Sequence, residues 1–273
     1  MNVADALTLA RTLGLPRSDA NVLLGALLDR SRTWLLAHDD APLDDTQQAR
    51  WQDWLARRAE GVPVAYLTGQ HEFHGLVLRV TPDVLDPRPD TETLVDWALE
   101  VLATQPAGAA VVDLGTGSGA VALAIRHRQV DAHVSAVDLS PAALAVAEAN
   151  GERLGLPVRW CQGAWFAPLA GACFDLIVSN PPYIAENDPH LPALRHEPTL
   201  ALTSGADGLT AIQQIVADAP AHLHPQGWLL LEHGHAQGPA VADLFRQAGW
   251  RGIDRRTDLA GHWRCTGAQR PLS

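Results

Sequence analysis

From Ala110 onward the chain alternates short apolar runs with stretches of helical character, and this alternation constrains its fold more than any other feature. The apolar runs are Ala110–Leu114, Val134–Asp138, Val158–Cys161, Phe174–Ser179 and Trp228–Glu232. Helices are expected from Gly119, from Ser140, around Leu209–Ala219 and from about Gln237. Strands and helices that take turns imply a mostly parallel sheet covered by helices on both faces. The tail segments Gly252–Arg256 and His262–Thr266 supply a closing antiparallel hairpin, so the expectation is an α/β domain with seven strands.

Upstream the pattern differs. Residues 1 to about 75 read as a bundle of four or five short helices. Ala20, Leu23, Leu24, Leu27 and Leu28 follow helical spacing, with Ser18 placed to cap that helix. Asp44 or Asp45 is placed to cap another, which carries Trp51, Trp54 and Leu55 on one face. These tryptophans read as core, because no basic stripe accompanies them as a nucleic-acid platform would require. Around Val77 the sequence turns to alternating, proline-punctuated residues that suit a short β-hairpin or extended connector. The expected division is residues 1–75, a helical domain; 76–92, a hairpin or linker; and 93–273, the α/β domain.

The formal charge of −11 comes from 31 acidic residues against 20 basic ones, all of them arginine. Such a surface is poorly matched to phosphate backbones. Cys161, Cys173 and Cys265 lack CxxC spacing, which fits a reducing compartment and no structural metal. His71-Glu-Phe-His74 and His233-Gly-His235 each lack a third ligand, so no metal is expected there either. No basic start or apolar signal core opens the chain, and no run approaches the ~18 residues of a membrane span, so a soluble cytoplasmic protein is expected.

Val111-Val-Asp-Leu-Gly-Thr-Gly-Ser-Gly119 runs from strand into glycine-rich turn into helix, which lets a ligand approach the backbone and the helix N-terminus. With Ala120 the glycines also satisfy the dinucleotide pattern, so on this turn alone a nicotinamide cofactor and S-adenosylmethionine both remain open. Asp138 ends the next strand 19 residues after Gly119, where a carboxylate can accept both ribose hydroxyls of either cofactor. The plain alternative for Asp138 is a helix cap, a role Ser140 can fill itself. Asp113 has two readings: a partner for a cofactor ammonium, or an acceptor for nearby backbone amides.

Asn180-Pro181-Pro182-Tyr183 follows the strand Phe174–Ser179 directly. Proline has no N–H and pushes its predecessor into an extended conformation, so two in a row form a stiff corner without donors. The Asn180 side chain and the carbonyls of Asn180 and Pro181 then offer acceptors suited to a planar NH2 group, and Tyr183 offers an aromatic face. An ordinary strand-closing turn is the bland reading of Asn-Pro. Neutral acceptors beside a cofactor crevice favour methyl transfer to nitrogen over hydride transfer, which needs an acid or base on the substrate.

Read together, Gly115–Gly119, Val137-Asp138, Gly163-Ala-Trp165-Phe166, Val178-Ser-Asn-Pro-Pro-Tyr-Ile184 and Leu230-Leu-Glu-His-Gly234 resemble the HemK/PrmC family of release factor N5-glutamine methyltransferases. Tyr66-Leu-Thr-Gly69 and Pro87-Arg-Pro-Asp-Thr-Glu92 extend the likeness, which covers most of the chain. The resemblance implies a class I (Rossmann-like) S-adenosylmethionine-dependent methyltransferase domain behind a small helical domain that helps dock the substrate. It also implies that Gly115, Thr116, Gly117, Ser118 and Gly119 contact S-adenosylmethionine, Asp138 its ribose and Trp165 its adenine. Asn180, Pro181, Pro182 and Tyr183 would grip the glutamine of the Gly-Gly-Gln loop of class-1 peptide release factors, with Asn180 also beside the cofactor and Asn180, Pro181 and Tyr183 acting in catalysis. A monomer is expected, with no direct nucleic-acid or membrane partner. One position departs from the family: Ala164 stands where an acidic or amide residue usually meets the adenine amino group, which leaves stacking on Trp165 and backbone groups to hold the base. A DNA adenine-N6 methyltransferase is the competing reading, since adenine also presents a planar NH2. A non-catalytic adaptor with a vestigial α/β domain is a third, against which the intact glycines, Asp138 and Asn-Pro-Pro-Tyr argue.

Overall fold

The computed structural model describes residues 1–270. Contacts divide the chain into two compact units, Met1–Gln70 and the residues from His71 onward. The first unit is helical, with α1 (Val3–Thr12), α2 (Arg17–Leu28), α3 (Arg32–Ala37), α4 (Asp45–Ala59) and α5 (Val64–Thr68). Polar side chains close three of the N-termini. Asn2 with Asp5 on α1, and Asp44 with Gln47 on α4, form reciprocal capping boxes, and Ser31 accepts from the Trp34 N–H on α3. Ser18 does not take the capping role expected of it. Helix α2 starts two residues earlier than a Ser18 cap implies, at Arg17, behind Pro16, whose fixed φ suits a helix entry where no N–H is needed, and the Ser18 hydroxyl turns to Asp19. Trp51, Trp54 and Leu55 are buried, and the Trp51 indole N–H donates to the Ala6 carbonyl at 3.2 Å.

The chain then forms a hairpin from β1 (Gln70–Phe73) and β2 (Leu76–Arg79). Its two-residue loop, His74-Gly75, has positive φ at both positions, the backbone whose twist matches the flanking strands. The hairpin starts earlier than the sequence pattern suggested, because Gln-His-Glu-Phe carries no apolar run that would mark it as a strand.

The main sheet comprises β3 (Ala110–Leu114), β4 (His133–Asp138), β5 (Arg159–Gln162), β6 (Phe174–Ser179), β7 (Leu223–Glu232), β8 (Arg251–Thr257) and β9 (Trp263–Gln269). The strand order is β5-β4-β3-β6-β7-β9-β8, and β9 alone runs against its neighbours. Helices α6 (Glu92–Leu102), α7 (Ala120–Arg128), α8 (Pro141–Leu154), α9 (Thr210–Asp218) and α10 (Gly238–Gln247) accompany it. The strands are apolar on both faces. Val111, Leu176, Val178 and Leu230 share a core with α6 and α7, whereas Val112, Leu114, Ile177, Leu229 and Leu231 share another with α9 and α10. Full burial of each such side chain stabilises by about 1.5–3 kcal/mol.

Strand β7 begins five residues before the expected Trp228. His224-Pro225-Gln226-Gly227 has the composition of a turn, and the structure takes it up as an irregularity between the pairs Phe174–Leu223 and Leu176–Trp228, with Gln226 at φ +67°. Sequence order reverses at β3, whose successors β4 and β5 lie on one side and β6 and β7 on the other. A crevice at the C-terminal ends of the strands belongs at such a reversal. Among the described residues no helix is long and apolar enough to cross a membrane.

Candidate active site

The turn after β3 holds three glycines with left-handed backbone, Gly115 (φ +75°), Gly117 (φ +56°) and Gly119 (φ +83°). Val137, at the end of β4, accepts from the N–H groups of both Gly115 and Thr116 at 2.8 and 3.0 Å, which folds the turn over the neighbouring strand. Asp113 is buried beneath it and accepts from the Thr116 hydroxyl at 2.6 Å and the Ala122 N–H at 3.2 Å. Of the two readings of Asp113, the backbone one is observed. Burial pushes its carboxyl up to about 7, against the pull of those hydrogen bonds.

Asp138 spans two loops. One carboxylate oxygen accepts from the Gly117 N–H at 2.8 Å and the other from the Ser140 N–H at 2.9 Å, while Ser140 itself caps α8 through Ala143. Each Asp138 oxygen keeps a further lone pair for a ligand. The Asp138 carbonyl also accepts from Gly163 N–H at 3.0 Å, so the loop after β5 is tied to the end of β4. In that loop Trp165 has φ +46°, an unusual conformation for a bulky residue that costs on the order of 1–3 kcal/mol and clusters at ligand clamps. It brings the indole to Gly115, where an added Cβ would stand 3.5 Å from the ring.

These residues line a cavity of about 370 Å3, within the range of small-molecule sites. Its floor is Gly115, Gly117 and Asp138, with Ala164 and Trp165 on one wall and Asn180 and Pro182 on another. Two segments that carry no periodic signal complete it, Pro82–Leu85 after the hairpin and Pro198, Leu200 and Ala201 in the long connection after β6. A side chamber of about 50 Å3 adjoins it across Gly115, Gly117 and Asn180 and is lined by Arg88, Thr91, Asp113, Thr116 and Ser118.

Asn180 thus borders both chambers. Its Nδ2 donates to the Thr91 hydroxyl at 3.1 Å, which leaves Oδ1 as the open acceptor. Pro182 lines the larger chamber and Pro181 is buried beside it. Tyr183 lines neither. Its hydroxyl donates to Glu232 Oε1 at 3.2 Å, its carbonyl accepts from Gln237, and burial together with the Glu232 carboxylate pushes its pKa up. Glu232, at the end of β7, is fully buried, and burial raises its carboxyl to about 7. Thr91 and Glu232 both lie inside stretches that carry the family resemblance, Pro87–Glu92 and Leu230–Gly234, so a signal for them existed. The segments 82–85 and 198–201 had none.

The histidine pairs separate. His71 faces Asp86, His74 faces Asp96, and His233 is buried between the Thr266 hydroxyl and the Gly234 carbonyl, where burial holds its imidazole down to about 4. Among the described residues no three His, Cys, Asp or Glu side chains are grouped to hold a metal ion.

A seven-stranded sheet with one antiparallel member and a glycine-floored crevice at its strand ends defines an S-adenosylmethionine-dependent methyltransferase of class I. Residues 91–196 match the methyltransferase small domain family and residues 4–69 the PrmC N-terminal domain. A release factor glutamine methyltransferase of Bordetella pertussis is 51% identical over 93% of this chain and 95% of its own length. Another, from Burkholderia pseudomallei, is 47% identical over 98% and 97%. A T. thermophilus 16S rRNA methyltransferase solved in complex with AdoMet and guanosine shares the fold at a TM-score of 0.56 and 20% identity, over 74% of this chain and 49% of that one. This chain belongs to the release factor glutamine methyltransferase family, and the DNA methyltransferase alternative is not favoured.

Proposed function

We infer that this protein methylates the side-chain amide nitrogen of the glutamine in the Gly-Gly-Gln motif of class-1 peptide release factors, with S-adenosylmethionine as donor. The observation that carries the reading is the placement of Asn180, whose open carbonyl oxygen borders both chambers of the glycine-floored crevice. The donor fits that crevice chemically. Left-handed glycines leave the backbone bare, Asp138 keeps lone pairs for ribose hydroxyls, and the strained Trp165 offers a face for adenine beside Ala164, which brings no polar group. When bound, S-adenosylmethionine supplies an electrophilic methyl group.

A carboxamide nitrogen is a weak nucleophile because its lone pair is delocalised into the carbonyl. Asn180 Oδ1 and the Pro181 carbonyl each take one amide hydrogen, which raises electron density on the nitrogen and fixes the direction of its lone pair. Orientation of this kind supplies about 7–11 kcal/mol of a barrier. Pro182 keeps the corner stiff, and Tyr183 acts from behind as its anchor. No base from the chain is needed, since the alkylated nitrogen is acidic enough to release its proton to water.

Residues 1–75, helical as far as Thr68, serve to dock the release factor, 76–92 as a linker and 93–273 as the methyltransferase domain, a division supported by the family match over residues 4–69. The net charge of −11 supports a protein substrate without direct nucleic-acid contact. Each unit has a buried core of its own, which supports a monomer, and light scattering tests it. The activity is tested by mass spectrometry of the Gly-Gly-Gln peptide after incubation of intact release factor with enzyme and donor. One added methyl on glutamine is expected, and Asn180→Ala should abolish it while donor affinity changes only moderately. Near-normal turnover by that variant would remove Asn180 from the role assigned.

A further inference from the structure

We propose that the donor site of this chain does not select on the exocyclic amine of adenine, and that Ala164 is the residue responsible, so that donors alkylated on that amine bind as S-adenosylmethionine itself does. The inference rests on the placement of adenine at Trp165 given above. Ala164 precedes Trp165 on the loop after β5, lines the cavity and is exposed. Leu139 and Leu200 line the same cavity and are 52% and 56% exposed, so its rim carries leucine side chains in contact with water. Leu139 follows Asp138 directly, and a base attached to a ribose held by that carboxylate emerges beside it.

An amine is selected by an acceptor. Among the described residues that line the cavity, Asp83, Asp138, Ser140 and Asn180 carry acceptor side chains. Asp138 and Asn180 have the roles already given. The Ser140 oxygen accepts from the Ala143 N–H at 3.2 Å, and the exposed Asp83 turns back on its own loop, where the Thr81 hydroxyl donates to it at 3.0 Å. Trp165 offers an N–H and no acceptor, and the Ala164 carbonyl accepts from the Ala167 N–H at 2.9 Å. An amine at this exposed apolar rim keeps its hydrogen bonds to water when the donor is bound. Alkyl groups on it therefore remove no bond to the protein, and the added carbon meets Leu139 and Leu200.

Calorimetric titration of the full chain with S-adenosylhomocysteine, and with the same compound dimethylated on the adenine amine so that it has no N–H to donate, measures the selection directly. Dissociation constants within about threefold of each other are expected. A loss of about tenfold or more, the worth of a hydrogen bond to a charged group, overturns the proposal. If Asp83→Asn then abolishes that loss, Asp83 is the residue that selects the amine. Ala164→Asp should create a preference, binding the unmodified compound severalfold more tightly than the dimethylated one, and equal affinities in that variant overturn the assignment to Ala164. Trp165→Ala separates this inference from the placement beneath it. If that variant binds S-adenosylhomocysteine as the wild type does, adenine does not lie at Trp165 and both fail. If it binds about tenfold more weakly, as loss of a stacked base implies, while the wild type rejects the dimethylated compound, only this inference fails.

Discussion

Gly117 and Gly119 share a left-handed backbone yet lack a side chain for different reasons. A Cβ on Gly119 would stand 3.0 Å from Leu123, 3.2 Å from Ala147 and 3.3 Å from Trp160, where α7 meets α8 and β5. A Cβ on Gly117 would meet nothing within 4 Å and would project where the two chambers join. Gly119→Ala should therefore cost about 1–3 kcal/mol from overpacking in addition to roughly 1 kcal/mol of backbone strain. Gly117→Ala should show the strain alone. Ligand affinity should rank them the other way, with the Gly117 variant losing more, because its methyl group occupies space a ligand needs. Denaturant unfolding and calorimetric titration with S-adenosylmethionine, run on both variants, separate the two effects. Equal losses of stability would mean that the α7 packing relaxes freely around the extra carbon.

At the scale of elements, Asn150 on α8 ties three pieces of the site's frame together. Fully buried, it accepts from the Arg79 N–H at 2.7 Å and donates to the Arg79 carbonyl and the Ser118 carbonyl, both at 3.0 Å. The hairpin end and the glycine turn thus hang on one side chain. Asn150→Ala removes three hydrogen bonds and strands buried backbone groups, a cost of about 2–4 kcal/mol, and hydrogen exchange should rise at Ser118 and Arg79 before the sheet is affected. Unchanged protection there would show that the turn holds itself. How far such elements are legible in the sequence depends on what marks them. Strands β3, β4 and β6 are unbroken apolar runs, and their ends carry Gly115, Asp138 and Asn180, so the crevice could be anticipated from composition and spacing. The hairpin strand β1 has no such run, β7 hides four residues of turn composition inside a bulge, and the lining residues 198–201 belong to a connection without period. Ser18 misled because the helix begins upstream of it, at Arg17 behind Pro16, so that residue 18 already lies inside the first turn. The Tyr183 hydroxyl donates to Glu232, a partner 49 positions away that no local pattern announces.

Over the whole molecule, buried ionisable groups make stability depend on pH in a direction opposite to that expected of paired carboxylates. Burial raises Asp113 from 3.8 and Glu232 from 4.5, both to about 7. Between about pH 4 and 7 the folded chain therefore holds protons on these two groups that the unfolded chain has released. Stability contributed by each is fully present below the unfolded pKa and is lost as pH rises through the folded one. His233 opposes them, because burial lowers it from 6.5 to about 4. There the unfolded chain binds the proton, and stability rises with pH across that interval. Two carboxyls against one imidazole leave a net decline between about pH 4.5 and 7 from these three groups. The groups around Glu232 set how much of the decline is its own: Arg264 and the hydroxyls of Thr91 and Tyr183 pull its pKa down, and Asp90 pushes it up. Glu232→Gln removes the titration while keeping the size of the side chain. Its stability relative to wild type should therefore climb as pH goes from about 5 to about 8, by an amount on the order of 3 kcal/mol at most. Thermal unfolding across that range checks it. Parallel curves for the two proteins would mean that Glu232 is ionised throughout, held so by Arg264 more strongly than burial opposes it.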